Sequence, residues 1–221
     1  MPWQAQAPDG IRVLPVQLPG REERFTEPPH TDAATAVDEV YARLAGKLRD
    51  GAPVAVFGHS MGAVLGYELA RRLEADPRVR FERLVVSGAP GPWTRRTEQA
   101  HTLADDDFMA RVRTFAGYTH PALDDPEMRE LLLPVLRADV HMHETYLPSS
   151  ARPLSVPVTS VRGRVDQLVS AVEAAQWSRA TTGKLTTPEV AGGHMYLTGS
   201  ADRLLELIAA ELGTTGEAVR R

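Results

Sequence analysis

Pro53-Val54-Ala55-Val56-Phe57-Gly58-His59-Ser60-Met61-Gly62 is a short apolar run that closes in Gly-x-Ser-x-Gly, and a helix-forming segment, residues 63–73, follows it. Strand, sharp turn and helix in that order are what a nucleophile elbow requires. Gly58 and Gly62 lack the Cβ atoms expected to clash where the backbone doubles back. Such a bend lifts Ser60 Oγ out of the sheet edge and sets it at a helix N-terminus. There the Met61 backbone N–H and the positive helix end would stabilise a developing oxyanion. A bare Gly-x-Ser-x-Gly also recurs as a loop with two turn glycines. The flanking strand and helix favour the catalytic reading.

Working outward, short apolar strands alternate with helical patterns, the signature of a mostly parallel α/β sheet with helices on both faces. Strands are expected at residues 11–16, 54–57, 84–87, 157–161 and 185–190, and helices at 33–49, 61–73, 170–180 and 201–212. In the first of these helices Val37, Val40, Tyr41, Leu44, Ala45 and Leu48 share one face at a period of about 3.6. The whole, residues 1–221, reads as a single α/β-hydrolase domain with a helical insertion at about 94–150. Thr102 with Asp105 reads as an N-cap pair. Asp125-Pro126 opens a second helix, and Pro134 is expected to kink or break it. An all-helical insertion at this place suggests a lid over the C-terminal edge of the sheet. A packing subdomain with no gating role is the alternative.

A serine nucleophile needs a base to take its proton and an acid to orient that base. In α/β-hydrolases these follow in the order serine, acid, histidine, each after a strand. Asp166, in Arg162-Gly163-Arg164-Val165-Asp166, follows the fourth expected strand, and His194, in Ala191-Gly192-Gly193-His194, follows the fifth. Ser60, Asp166 and His194 are therefore the candidate triad. Asp139 lies in the insertion and Asp202 reads as a helix cap. His101, His120, His141 and His143 are also in the insertion, and His59 is placed to pack beside the elbow. His141, His143 and Glu144 raise a metal site, but no further ligand has suitable spacing, so none is assigned.

Composition narrows the function classes. A chain of 221 residues, 43% hydrophobic and 24% charged, suits a sizeable core, and its net charge of −4 offers no basic field for nucleic acid. The absence of cysteine excludes disulfides, thiolate metal sites and a cysteine nucleophile within this sequence. No apolar run approaches membrane-spanning length, and no signal segment opens the chain. A soluble, cytoplasmic monomer is the expectation.

Beyond the fold, the chain resembles the type II thioesterases, stand-alone α/β-hydrolases that accompany modular polyketide synthases and nonribosomal peptide synthetases. The likeness rests on Val16-Gln17-Leu18-Pro19-Gly20-Arg21-Glu22, on Phe57-Gly58-His59-Ser60-Met61-Gly62-Ala63, and on Leu133-Pro134-Val135-Leu136-Arg137-Ala138-Asp139 with Glu144 and Tyr146. Gly163 with Asp166, and Gly192-Gly193-His194-Met195-Tyr196-Leu197, complete it. The resemblance implies hydrolysis of acyl thioesters on the phosphopantetheine arm of acyl or peptidyl carrier proteins, for editing or product release. No cofactor is implied, since phosphopantetheine belongs to the partner. An acidic carrier would call for a local basic patch, which the many arginines can supply.

The family begins with a strand and a glycine-containing loop ahead of the Trp that here is Trp3. The resemblance places that strand between the strands holding Val13 and Val56, and its loop gives the second oxyanion N–H. The expectation is thus that Met61 is the single oxyanion donor encoded here, and that the start is misplaced or the gene truncated. Two rival readings stay open: a small-molecule carboxylesterase, and a non-catalytic remnant that binds carrier proteins.

Overall fold

Val56 and Phe57 sit on opposite faces of strand β1 (Pro53–His59), and both pack into apolar clusters, the mark of a strand covered on both sides. In the computed structural model, which describes residues 3–48, 51–95, 97, 99–116 and 123–213, β1 pairs in parallel with β2 (Arg80–Ser87). Strand β2 pairs with β3 (Val158–Gly163), and β3 with two short strands, β4 (Leu185–Thr186) and β5 (Glu189–Val190), all parallel. The register sets His59 beside Ser87 at the C-terminal edge. This is the expected α/β sheet.

Helices cover both faces. Before the sheet comes a short α1 (Trp3–Gln6), then α2 (Ala33–Ala45), whose N-cap Asp32 accepts the Thr35 N–H. Helices α2 and α3 (Met61–Ala75) bury Val37, Tyr67 and Leu73 against Val56, Leu84, Val86 and Val158. The last helix, here α7 (Ala201–Glu211), closes the other face: its Leu204 and Ile208 join Trp3 of α1 against Phe57, Val85 and Val161.

Two strand expectations change. Residues 11–16 form no strand. Among the described residues the outer edge of β1 has no ladder partner, and Pro15 has no N–H to give. The segment turns to side chains instead: the Val13 N–H donates to Gln4 Oε1 (2.8 Å), and Gln4 Nε2 donates to the Ile11 carbonyl (3.3 Å). The expected strand at 185–190 is split into β4 and β5 by Thr187-Pro188, where proline again withholds a ladder donor.

Between β2 and β3 the described residues hold helices α4 (Asp105–Ala116) and α5 (Pro126–Thr145) and no strand. Thr102 does not cap α4. It sits in the 3-10 turn Ala100–Thr102 and donates its hydroxyl to the Gln99 carbonyl. Asp125 caps α5 through the Met128 N–H, with Pro126 in the first turn, as expected. Pro134 does not end α5, which runs through it. Flanking contacts hold the helix on either side of the lost N–H, Leu133, Leu136 and Val140 packing on Phe108, Met109 and Val112 of α4. Farther along, Met142 packs on Ala33 and Ala36 of α2, so the C-terminal half of α5 is tied to the body of the protein. The short helix α6 (Ala171–Ala175) follows β3, opened by a capping box between Ser170 and Glu173.

Candidate active site

Ser60 stands between β1 and α3 at φ 52° and ψ −117°, a conformation that side-chain-bearing residues rarely hold and that costs about 1–3 kcal/mol. It is pinned from both sides: its N–H donates to the Ser87 carbonyl (2.8 Å), and its carbonyl accepts the Ala63 N–H (2.9 Å). A Cβ on Gly58 would overlap the Gly62 carbonyl, so glycine is required there. The expectation for Gly62 fails, because a Cβ there meets nothing within 4 Å. Met61 is the first residue of α3, and the first-turn N–H groups of a helix have no partner within it.

Beyond β3, Asp166 is folded into a tight turn, its N–H donating to the Gly163 carbonyl (3.0 Å). Its Oδ1 accepts the N–H groups of Leu168 (2.8 Å) and Val169 (3.1 Å), and its Oδ2 lies 2.9 Å from His194 Nδ1. The Asp166 side chain is fully buried and that of His194 nearly so. Gly163 makes the approach possible, since a Cβ on it would overlap the carbonyls of Gly192 and Gly193 in the loop that carries His194. A carboxylate can only accept, so Nδ1 carries the proton and Nε2 is left as an acceptor. The structure thus brings Asp166 and His194 into one hydrogen-bonded pair, on the sheet edge that also carries Ser60.

His59 connects this pair to the elbow. Its ring centroid lies 4.9 Å from that of His194, and its Nδ1 lies 2.9 Å from Ser87 Oγ. Ser87 Oγ in turn lies 2.6 Å from the Tyr196 hydroxyl, and Tyr196 meets His59 edge-on at 6.1 Å. Burial pushes the His59 imidazole down to about 4, and the neighbouring His194 pushes the same way against a weaker pull from Asp166. Burial likewise lifts Tyr196 to about 12. Gly88, at φ 54°, leaves room for both imidazoles: a Cβ there would stand 2.6 Å from His59 Cε1 and 3.0 Å from His194 Cε1. Ser87, Gly88 and Tyr196 were not singled out from the sequence as site residues. Their signals are position, Ser87 ending β2, Gly88 directly after it and Tyr196 two residues past His194, and for Tyr196 also its place in the quoted segment 192–197.

The rival candidates are occupied elsewhere. Asp139 receives a two-pronged ion pair from Arg21 (3.0 and 2.8 Å), joining the Gln-Leu-Pro-Gly-Arg loop to α5. Glu144 accepts the Ala100 and His101 N–H groups and pairs with His101 Nδ1 at 2.6 Å, while His141 stacks on His101 at 4.5 Å. Asp202 lies in the first turn of α7, where Ser200 is the N-cap residue. His120 lies outside the described residues. Among the described residues no cluster of three His, Asp or Glu side chains is arranged to hold a metal ion. A cleft of about 420 Å³ between α4 and α5 is lined by Arg113, Arg129, Leu133 and Pro134 and by none of the triad candidates. Nearer the elbow, a pocket of about 20 Å³ is bounded by Val64, Pro90, Pro92, His143, Glu144 and Tyr146, leaving little free space against α3.

A profile of the thioesterase domain family matches residues 1–212. The chain belongs to the thioesterase family. The probable cadicidin biosynthesis thioesterase of Streptomyces griseus is 36% identical over 214 residues, an alignment covering 96% of this chain and 58% of that protein. The structure of the type II thioesterase BorB from the borrelidin biosynthetic cluster is 38% identical, with a TM-score of 0.79 over 89% of this thioesterase and 80% of BorB. RedJ, a thioesterase of the prodiginine biosynthetic pathway in Streptomyces coelicolor, superposes with a TM-score of 0.83 at 33% identity, covering 95% and 78% of the two chains. The type II likeness and the α/β-hydrolase fold expected from the sequence are both borne out. No described helix of this thioesterase is long and apolar enough to cross a membrane.

Proposed function

We propose that this thioesterase hydrolyses acyl groups from the phosphopantetheine thiol of carrier proteins by way of an acyl-Ser60 intermediate. The carrying observation is the buried Asp166–His194 pair (2.9 Å) on the sheet edge that holds Ser60 in a strained elbow. Ser60 Oγ attacks the thioester carbonyl carbon while His194 Nε2 takes the hydroxyl proton. Asp166 stays ionised, holding the tautomer and stabilising the imidazolium. The Met61 N–H, at the head of α3, donates to the oxyanion. Collapse of the tetrahedral intermediate breaks the C–S bond, and the imidazolium returns its proton to the leaving thiolate. A water then gives its proton to His194 and attacks the acyl ester; the C–O bond to Ser60 breaks, the imidazolium returns the proton to Ser60 Oγ, and the acid is freed.

In this reading residues 94–150 form the lid of a single domain and shape the acyl pocket, and the enzyme works as a soluble cytoplasmic monomer. The relatives named for biosynthetic clusters support editing or release in such a pathway. The test is turnover of acyl thioesters on a phosphopantetheinylated carrier protein beside simple aryl esters of the same acyl group. The reading requires hydrolysis that prefers the carrier thioester and disappears in Ser60→Ala. Preference for the free ester would make the enzyme a carboxylesterase, and no turnover of either would make the chain a carrier-binding remnant.

A further inference from the structure

The His194 ring has a second support, which the triad does not use. Asp166 fixes only one nitrogen, and a ring held at one atom still pivots about that hydrogen bond. Against it, at 4.9 Å between centroids and tilted by 50°, lies the imidazole of His59. His59 is itself held through Nδ1 by Ser87 Oγ (2.9 Å), which the Tyr196 hydroxyl meets at 2.6 Å. Ser87 is fully buried and Tyr196 nearly so. Both ends of this chain are anchored in the site: the Ser87 carbonyl receives the Ser60 N–H, and Tyr196 leaves the His194 loop two residues after the histidine. Gly88 contributes the space in which the two rings meet.

We propose that His59, clamped by Ser87 and Tyr196, is a positioning residue that fixes the plane of the His194 ring so that Nε2 stays aimed at Ser60. The inference rests on reading His194 as the base. A charged neighbour could not do this, since two imidazolium rings in contact repel each other just when His194 takes the serine proton. His59 stays neutral because burial disfavours its charged form and His194 opposes it, while Asp166, the remaining charge facing it, only partly offsets them. Tyr196, protonated up to about 12, adds no charge either. Among the described residues His59 Nε2 is buried with no hydrogen-bond partner, so the ring's hydrogen-bonded tether there is its bond to Ser87. Removing that tether frees the ring.

Tyr196→Phe, which keeps the ring and drops the hydroxyl, and Ser87→Ala are measured singly and together on a carrier-bound acyl thioester. Thermal melts accompany the assays so that only folded variants count. Ser87→Ala is expected to lower kcat about tenfold with KM within about twofold, since a small misalignment of a catalytic group is costly. The double variant should fall no further than Ser87→Ala, because one chain is being cut twice. The second readout needs no substrate: the downfield Nδ1–H proton signal of His194, which should be sharp in the parent and exchange-broadened in Ser87→Ala. Parent-like kcat and an unchanged signal in both folded variants would overturn the proposal, as would absence of the signal from the parent. If the signal behaves as expected but no variant or parent turns over thioester, the positioning role stands and the substrate reading falls.

Discussion

Asp166 divides its carboxylate between two tasks: Oδ2 meets His194 Nδ1 at 2.9 Å, while Oδ1 closes its own turn by accepting the N–H groups of Leu168 and Val169. The acid is thereby oriented by backbone before it orients the base. Both N–H donors lie on its own loop, so the geometry follows from the local fold of residues 163–169.

This division makes Asp166→Asn a sharp probe. The two backbone donors will claim the amide oxygen, which turns the amide NH2 toward His194 Nδ1. Nδ1 must then accept, the proton moves to Nε2, and the base is lost. The expected drop in kcat is on the order of 10³–10⁴, with little loss of stability. Asp166→Ala should add a stability loss of about 1–3 kcal/mol, from the two N–H groups left unpaired. Single-turnover rates and urea unfolding of both variants check the pair of outcomes.

Ser60 trades stability for reactivity. Its φ of 52° is comfortable only for glycine, and the sequence has a serine there. Ser60→Gly should therefore raise stability by about 1 kcal/mol, strain relief outweighing the added chain entropy of glycine. Ser60→Ala keeps the strain and should change stability little. Neither variant should form an acyl-enzyme. Denaturant midpoints compare the two, and equal midpoints would mean that the elbow stores no strain.

Much of this arrangement was legible in the sequence because it is local. Strand, elbow and helix at 53–75 are one continuous pattern, and Asp166 and His194 each follow a strand. Long-range contacts were not legible. Residues 11–16 carry a strand's composition, but a ladder needs a neighbour, and Gln4 takes the Val13 N–H instead. Pro134 carries a helix breaker's signature, yet contacts of α5 with α4 on both sides of it hold the helix. The His59–Ser87–Tyr196 chain spans three segments far apart in sequence, and no periodicity announces it.

Glu68 is the buried carboxylate that ties α3 to the end of α5. It accepts from the Tyr146 hydroxyl (2.9 Å), the Ser149 N–H (2.9 Å) and the Ser149 hydroxyl (2.5 Å). Burial, and after it the charge of Glu68, pushes the Tyr146 phenol well above its usual range, so this tyrosine stays a donor. Glu68→Ala leaves three donors without an acceptor and should cost about 3–5 kcal/mol. Glu68→Gln keeps one acceptor oxygen and should cost about half as much. Urea unfolding at neutral pH measures both, and a loss below about 1 kcal/mol for Glu68→Ala would contradict the assignment.

The Arg21–Asp139 pair should behave as a modest, geometry-dependent clasp. Its side chains are 32% and 20% exposed, so solvent screens much of its charge, but both terminal guanidinium nitrogens are engaged. A double-mutant cycle with Arg21→Ala and Asp139→Ala is expected to give a coupling of about 1 kcal/mol. Arg21→Lys should recover little of it, because an ammonium cannot span both carboxylate oxygens. Full recovery by lysine would show that charge alone matters.

Acid should destabilise the fold through His59 before it reaches most carboxylates. The imidazole titrates near 4 when folded, against about 6.5 in the unfolded chain. Between those values the unfolded state binds a proton that the folded state does not, so stability rises with pH across this window and is lost on acidification. The shift corresponds to a loss on the order of 3 kcal/mol once pH has fallen from about 7 to about 4. Asp76, held low first by its hydrogen bond from Arg78 and then by Tyr41, acts in a separate window. Its contribution is present above its ordinary value near 4 and fades only below it. His59→Gln removes this titrating group, so its stability should slope less steeply with pH than the parent's, the remaining slope towards pH 4 coming from depressed carboxylates such as Glu27, Asp32 and Glu39. Guanidinium unfolding at pH 7, 6, 5 and 4 gives the two slopes. Parallel curves would mean that His59 gains its proton in the folded protein as readily as in the unfolded chain.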